Sequence, residues 1–498
     1  MKRTLVISNA CFSDRESNGR TLKNLFAKAE PEKLAQFFVY GDPDFSICRR
    51  YYKVSDRDAL ESLNLLKAAG GSVESAENPN RQNEDGYEVE DSAEDREGTG
   101  NPAEGRGTAR QKSGEPMESG EGSSQKTAGQ KSGEPLESRE GFSQKAASQK
   151  PDEPLESGEG SGQSGAAQTV YTGVADKTPA KMLARELVWL LGRWKSRGFW
   201  KWIEEFRPQM LCLFLANNTF LIRLAVLIAK KYQIPLVVYS TEGYCFMNYN
   251  YFTNRPSAAY KLYYGWLRAS YRKAVPYVTE GFFNCTLLRD RYKEEFGYPC
   301  RCVMNGSEID FIERSALDKE KTPIISYLGN LGLGRHKALM EIAQVLQQID
   351  KRLQLDIYGA APNDAVKEEL GNCPGIRFHG FVSYGEVIRI IHESSLLVHA
   401  EWNDEKTNRD LKYAFSTKIG DSISSGTPFL IYADKGLAET IFLKENDCAF
   451  VVEKKEMLKF VLQQALTDEK ERRRIVENAK VTKEKFFTGN DEFLKAFL

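Results

Sequence analysis

Histidine is scarce in this chain. Only His336, His379, His392 and His399 occur in 498 residues. All lie in the second half, so the first half cannot supply a histidine base. Net charge is nearly absent as well: 69 Lys and Arg stand against 70 Asp and Glu. A chain without a net field does not draw in nucleic acid or an anionic surface. The nine cysteines show no paired CxxC and no framework spacing. Cys300 and Cys302 read as half-buried strand residues, and the set as the reduced thiols of a cytosolic protein. Long apolar runs are missing too. The nearest to one, residues 210–239, is broken by Asn217, Asn218, Arg223, Lys230 and Lys231 and parses as strand–helix–strand rather than a bilayer span. The opening residues have a basic end but too brief an apolar run for a signal peptide, so they read as a first strand. No zinc-ligand spacing and no serine nucleophile elbow is found. His392 and His399 sit among apolar residues and read as core histidines.

Length alone predicts two or more domains. Residues 1–69 begin an α/β domain: a strand over 3–9, a helix from Thr21 to about Ala29, and a strand from Ala35 to Tyr40. Gly19 stands at the strand-to-helix turn, where a bare backbone allows close approach of a ligand. Composition then changes. From 70 to 168 the chain is Gly, Ser, Glu, Gln, Lys and Pro, with almost nothing to bury, and it repeats with Pro116, Pro135 and Pro154 spaced by 19. This segment is expected to be a disordered insertion in a surface loop. The first domain resumes over 169–303. Lys181–Phe206 is helical in pattern and mixes Trp189, Trp194, Trp200 and Trp202 with Arg and Lys. That content suits either a peripheral membrane contact or a helix packed on its own sheet, and Glu204 and Glu205 argue for the second. The strand Pro235–Tyr239 ends at Glu242, and chemistry in an open parallel sheet sits beyond the carboxyl ends of its strands.

Residues 304–468 read as a second domain of six strands alternating with helices, and 469–498 as a charged helix long enough to cross back. Within it, residues 415–432 form a short helix, a Gly turn and a buried strand. Ser416 is placed to cap the helix, Thr417 and Lys418 fall in its first turn, and Gly426 ends it. Free N–H groups, a hydroxyl and an ammonium therefore converge, which suits a phosphate. Asp421 shares their face and could serve a ribose diol. The turn from Gly329 to Lys337 carries three glycines with Asn330, Arg335 and Lys337. It departs from both the G-x-G-x-x-G fingerprint and the P-loop, which disfavours a dehydrogenase or an ATPase. A diphosphate could lie between this turn and the helix start at Ser416. Phe381 follows Gly380 at a strand end and could pack on a nucleobase. Glu439 opens another helix and could meet a sugar hydroxyl.

Together these positions resemble a GT-B glycosyltransferase of the large retaining group typified by bacterial polysaccharide and lipopolysaccharide enzymes. The resemblance covers both folded halves and is strongest from about Phe282 to Leu466. It implies two Rossmann-like doubly wound domains facing across a cleft, with the nucleotide-sugar held mainly by the second. It puts the phosphate-binding cations at Arg335 and Lys418, with Lys337 near. The ribose-binding carboxylate falls at Asp421 and the amino-terminal glycine loop at Gly19. The first of the group's paired glutamates falls on Tyr413. Sugar transfer from a nucleotide-diphosphate donor to a glycan or lipid-linked acceptor follows, with Glu242, Arg335 and Lys418 at the chemistry. No cofactor or metal is expected, since Arg and Lys can neutralise the leaving diphosphate. A nucleotide-sugar epimerase of the same fold and a catalytically degenerate scaffold are the alternatives.

Overall fold

The computed structural model describes residues 1–13, 17–64, 70–73, 178–249, 256–318, 320–487 and 491–498. The repeat segment, from residue 74 on, lies outside the described residues.

The first sheet contains β1 (Thr4–Ile7), β2 (Leu34–Phe38), β3 (Arg50–Lys53), β4 (Gly71–Val73), β5 (Met210–Phe214), β6 (Leu236–Ser240), β7 (Val278–Phe283) and β8 (Cys300–Cys302). Its order is β4-β3-β2-β1-β5-β6-β7-β8. β1 pairs in parallel with β2 and β5, Thr4 standing opposite both Leu34 and Met210, whereas β4 runs antiparallel to β3. Strands β1, β2, β5 and β6 are buried along their whole length. Their near-continuous apolar sequence is what a parallel sheet covered on both faces requires. β3, β4 and the helix Asp56–Glu61 lie beyond the sequence reading. β4 extends the sheet past the composition change placed at residue 69, because its three residues need only β3's backbone to pair. Ser55 begins the Asp56–Glu61 helix through a capping box with Asp58.

The helical stretch after the insertion is two helices, Pro179–Leu191 and Arg197–Phe206. They part where Ser196 accepts from the Phe199 N–H and so starts a new helix. Trp189, Trp194 and Trp202 are buried, and Trp189 stacks on Phe220 with ring centroids 3.9 Å apart. These three rings serve the core rather than an interface.

The second sheet contains β9 (Ile325–Leu328), β10 (Leu355–Tyr358), β11 (Ile376–Gly380), β12 (Leu396–Ala400), β13 (Phe429–Tyr432) and β14 (Phe450–Val452). All pairs are parallel, in the order β11-β10-β9-β12-β13-β14. Strand order switches at this point, β10 and β11 lying on one side of β9 and β12 to β14 on the other, and a crevice opens outside the carboxyl ends there. The lobes meet at residues 303 and 304, Val303 packing in the first core and Met304 in the second.

The helix Glu469–Phe486 then leads back to the first lobe. Its Arg472 is wholly buried and donates to the carbonyls of Ser315, Ala465, Arg314 and Ser395. The last residues return to the amino-terminal lobe: Phe493 packs on Phe26, Tyr239 and Phe282, and the Lys2 N–H donates to the Phe497 carbonyl at 2.7 Å. Among the described residues, no helix is long and apolar enough to cross a membrane.

Candidate active site

A cleft of about 690 Å³ opens outside the carboxyl ends of β9, β10, β11 and β12, with Arg20, Lys23 and Asn24 of the helix Ser17–Phe26 closing its other wall. Among the predicted site residues, Asn330, Phe381, Thr417, Lys418 and Asp421 line it.

The helix Thr417–Ser424 is anchored by Ile419 and Ile423, both buried and one turn apart on a single face. That anchoring turns Thr417, Lys418 and Asp421 toward the cleft. Ser416 holds the N-cap position, but its hydroxyl makes no cap bond. It faces a narrow space between the lobes, shared with Thr21, Thr241 and Asn284. Gly426 ends the helix with φ +78, and a Cβ there would lie 2.4 Å from the Ile312 carbonyl oxygen. Left-handed backbone and the closeness of that carbonyl both demand glycine. Asp421 accepts from the Ser307 hydroxyl at 2.7 Å. Burial raises its carboxyl above the usual range despite Ser307 and Lys418, which pull the other way. Solvent reaches Lys418 through the cleft mouth, yet protein rings it. Burial and then Arg335 lower its ammonium from the ordinary lysine value, while Asp421 and Glu401 work against them. The two predicted phosphate cations therefore share one field.

Arg335 begins the helix Arg335–Ile349 after a turn in which Asn330 Oδ1 accepts from the Gly332 N–H at 2.6 Å. The β9 and β10 loops touch here: a Cβ on Gly359 would lie 1.7 Å from the Gly329 carbonyl oxygen. Arg335 is not bare. Its Nε and Nη2 donate to Glu401 Oε1 at 2.9 and 2.6 Å. Lys337 is exposed and lies outside the cleft, its ammonium 5.6 Å above the Trp402 ring. Arg335 stands behind the residues that line the cleft, and Lys337, two positions further along the helix, points to a different side.

Other expectations need correction. Gly19 is buried, a Cβ there meeting the Cys11 carbonyl oxygen at 2.7 Å. It packs against its own lobe, and the neighbouring Arg20 reaches the cleft instead. Glu242 lies at the end of β6 as expected but does not line the cleft. It stands near Cys285 at the lobe junction, where burial pushes its carboxyl up to about 7. Tyr413 packs there too, within 6.2 Å of the Phe246 ring centroid. Glu439 is buried at the start of the helix Ala438–Glu445, 3.3 Å from His399 Nε2. His399 is thus no ordinary core histidine. It lines the cleft, and Glu401 approaches it to 3.4 Å.

Sequence reasoning missed Arg20, Tyr358 and Glu401. Glu401 had a signal: it lies just past the carboxyl end of β12, as Glu242 does for β6, and two residues from His399 it shares that strand's face. Tyr358 stacks on His379, centroids 4.5 Å apart. Phe381 is 70% exposed at the end of the neighbouring strand. The two rings offer a flat apolar corner. Among the described residues, His399, Glu401 and Glu439 are the one group of metal-ligating type whose donor atoms lie within 4.8 Å of one another. Arg335 already occupies Glu401, which makes the trio an ion-pair network.

Residues 308–482 match the family model described as glycosyl transferases group 1. No curated protein matches the chain with significance. The structure of Anabaena Alr3699/HepE in complex with UDP is 10% identical, covering 100% of this chain and 99% of that one, with a TM-score of 0.52. The apo form of the lipopolysaccharide outer core galactosyltransferase WaaB is 14% identical over 62% of this chain and 78% of that one, with a TM-score of 0.39. MurG of Acinetobacter baumannii is 10% identical over 64% and 80%, with a TM-score of 0.36. Two doubly wound lobes, a cleft at their carboxyl edge and the likeness to Alr3699/HepE identify a GT-B fold, in which residues 308–482 match the glycosyl transferases group 1 family model.

Proposed function

We propose that the chain transfers a sugar from a nucleoside-diphosphate donor to a glycan or lipid-linked acceptor, with retention of configuration, in the building of a bacterial surface polysaccharide. The observation that carries this reading is the convergence of Lys418, Asp421, Asn330 and Phe381 on one cleft that Arg20 of the opposite lobe also lines. The diphosphate lies at the start of the helix Thr417–Ser424, where unpaired N–H groups, Thr417 and Lys418 meet it. Arg20 approaches from the other lobe. The nucleobase occupies the corner made by Tyr358 and Phe381, and Asp421 accepts from the ribose. That Alr3699/HepE was solved with UDP supports a nucleoside diphosphate in a cleft of this architecture.

The bond between the anomeric carbon and the diphosphate oxygen breaks, and the acceptor oxygen bonds on the same face. The leaving diphosphate takes the acceptor proton, so Glu242, away from the cleft wall, is not needed as a base. Lys418, Arg20 and Arg335 stabilise the charge that builds on the leaving group. Membrane contact by the first lobe would serve a lipid-linked acceptor.

Thermal stabilisation by UDP, GDP, ADP and CDP tests the site, and release of free nucleoside diphosphate from sugar donors tests the reaction. No stabilisation by any of them removes the donor site. Binding with change of the sugar but no diphosphate release favours the epimerase, and binding without turnover favours the scaffold.

A further inference from the structure

A buried network of four charges stands behind the cleft wall. Glu401 accepts twice from Arg335. His399 Nε2 lies 3.4 Å from Glu401 Oε1 and 3.3 Å from Glu439 Oε1. The side chains of His399, Glu401 and Glu439 are 7%, 3% and 5% exposed, and that of Arg335 is 15% exposed. Strand alternation places His399 and Glu401 on one face at the end of β12. The helix Ala438–Glu445 brings Glu439 to the same point.

We infer that Glu401 and His399 are positioning residues for the donor diphosphate: Glu401 fixes the Arg335 guanidinium, and the His399 imidazolium balances the second carboxylate so that this wall accepts an anion. The inference rests on the donor-site reading above and adds the groups that set its charge. With His399 protonated, two cations offset two carboxylates. Without that proton one negative charge is left over in a poorly solvated place, where it repels a diphosphate far more strongly than it would in water.

The surroundings favour the proton. Burial alone would strip it, but Glu439 and Glu401 more than offset burial and push the imidazolium up to about 9. The other groups facing this network are few. Tyr327 on β9 stands near Arg335, and Lys418 on the helix Thr417–Ser424 feels both Glu401 and Arg335. Tyr432 on β13 is turned away to donate to Glu341. The sign follows from linkage: the charge balance of this wall holds below about 9 and is lost as pH rises through that value.

Titration calorimetry with UDP and inorganic pyrophosphate near neutral pH tests this on the full chain, His399→Gln, Glu439→Gln and the double variant. His399→Gln is expected to bind at least about tenfold more weakly, since one uncompensated charge is left beside the ligand. Adding Glu439→Gln removes that surplus charge and recovers most of the affinity, a rescue that a merely structural strap would not give. Affinity unmoved in His399→Gln, or a double variant no tighter than the single one, overturns the inference. If His399→Gln does not fold, the pH profile decides. Loss of pyrophosphate affinity on the alkaline side should move to lower pH in Glu439→Gln, where His399 has lost a carboxylate, and an unmoved profile overturns the inference. A full chain that binds neither probe brings down the donor-site reading itself. Binding that none of the variants alters brings down this inference alone.

Discussion

The guanidinium of Arg20, in the first lobe, lies 4.5 Å over the ring of Tyr384, in the second. This contact bridges the cleft, and both residues line it. A cation on an aromatic face contributes about 0.5–2 kcal/mol, enough to bias two lobes without locking them. Arg20→Ala should weaken nucleoside-diphosphate binding about tenfold through loss of a charged contact. Calorimetry that finds the affinity unchanged would mean the first lobe supplies no cation to the donor.

Lys418 and Lys337 separate the two ends of the predicted phosphate site. Lys418→Ala should cost about 1–3 kcal/mol of nucleotide affinity, the worth of a charge-assisted hydrogen bond. Lys337→Ala should change it by less than about 0.5 kcal/mol, as exposed substitutions usually do. The reverse ranking would move the phosphate to the Trp402 side.

Arg472 predicts a stability defect without a binding defect. Its guanidinium satisfies four carbonyls inside the second lobe. Arg472→Leu leaves them unsatisfied and should lower unfolding stability by about 3 kcal/mol. The midpoint of denaturant unfolding measures it, and a shift close to zero would show that the carbonyls find other donors.

Glu242 gives a pH signature. Burial raises its carboxyl from 4.5 to about 7 in the folded protein. The folded state then holds a proton that the unfolded state has released, so this group's contribution to stability falls as pH rises from 4.5 to about 7. Glu242→Gln should therefore melt higher than the unaltered chain above that range and equally near pH 4. A difference in melting temperature that stays constant with pH would show that Glu242 is solvated. Activity should survive the substitution, because Glu242 does not line the cleft.

Local chemistry was readable wherever a residue's role depends on its own neighbours in sequence. Strands β9 to β14, short runs rich in apolar residues between helical patterns, could be placed within a few residues. The stop at Gly426 was equally plain, since left-handed turns are set within four or five residues. β3 and β4 were not readable. They are short, half-polar strands at one side of the sheet, β3 paired to β2 and β4 to β3.

The candidate site divides along the same line. The sequence by itself determined two doubly wound lobes, a polar helix start at residues 416–421 and an aromatic edge at Phe381. Only the tertiary structure decided which groups meet. It exposed Lys337 on the wrong side of a helix, turned Gly19 inward and brought Arg20 forward. It also drew Glu401 and Glu439, 38 residues apart in sequence, onto His399. The physical reason is that side-chain periodicity fixes a face within one element, whereas a buried charge finds its partner only when separate elements pack and exclude water.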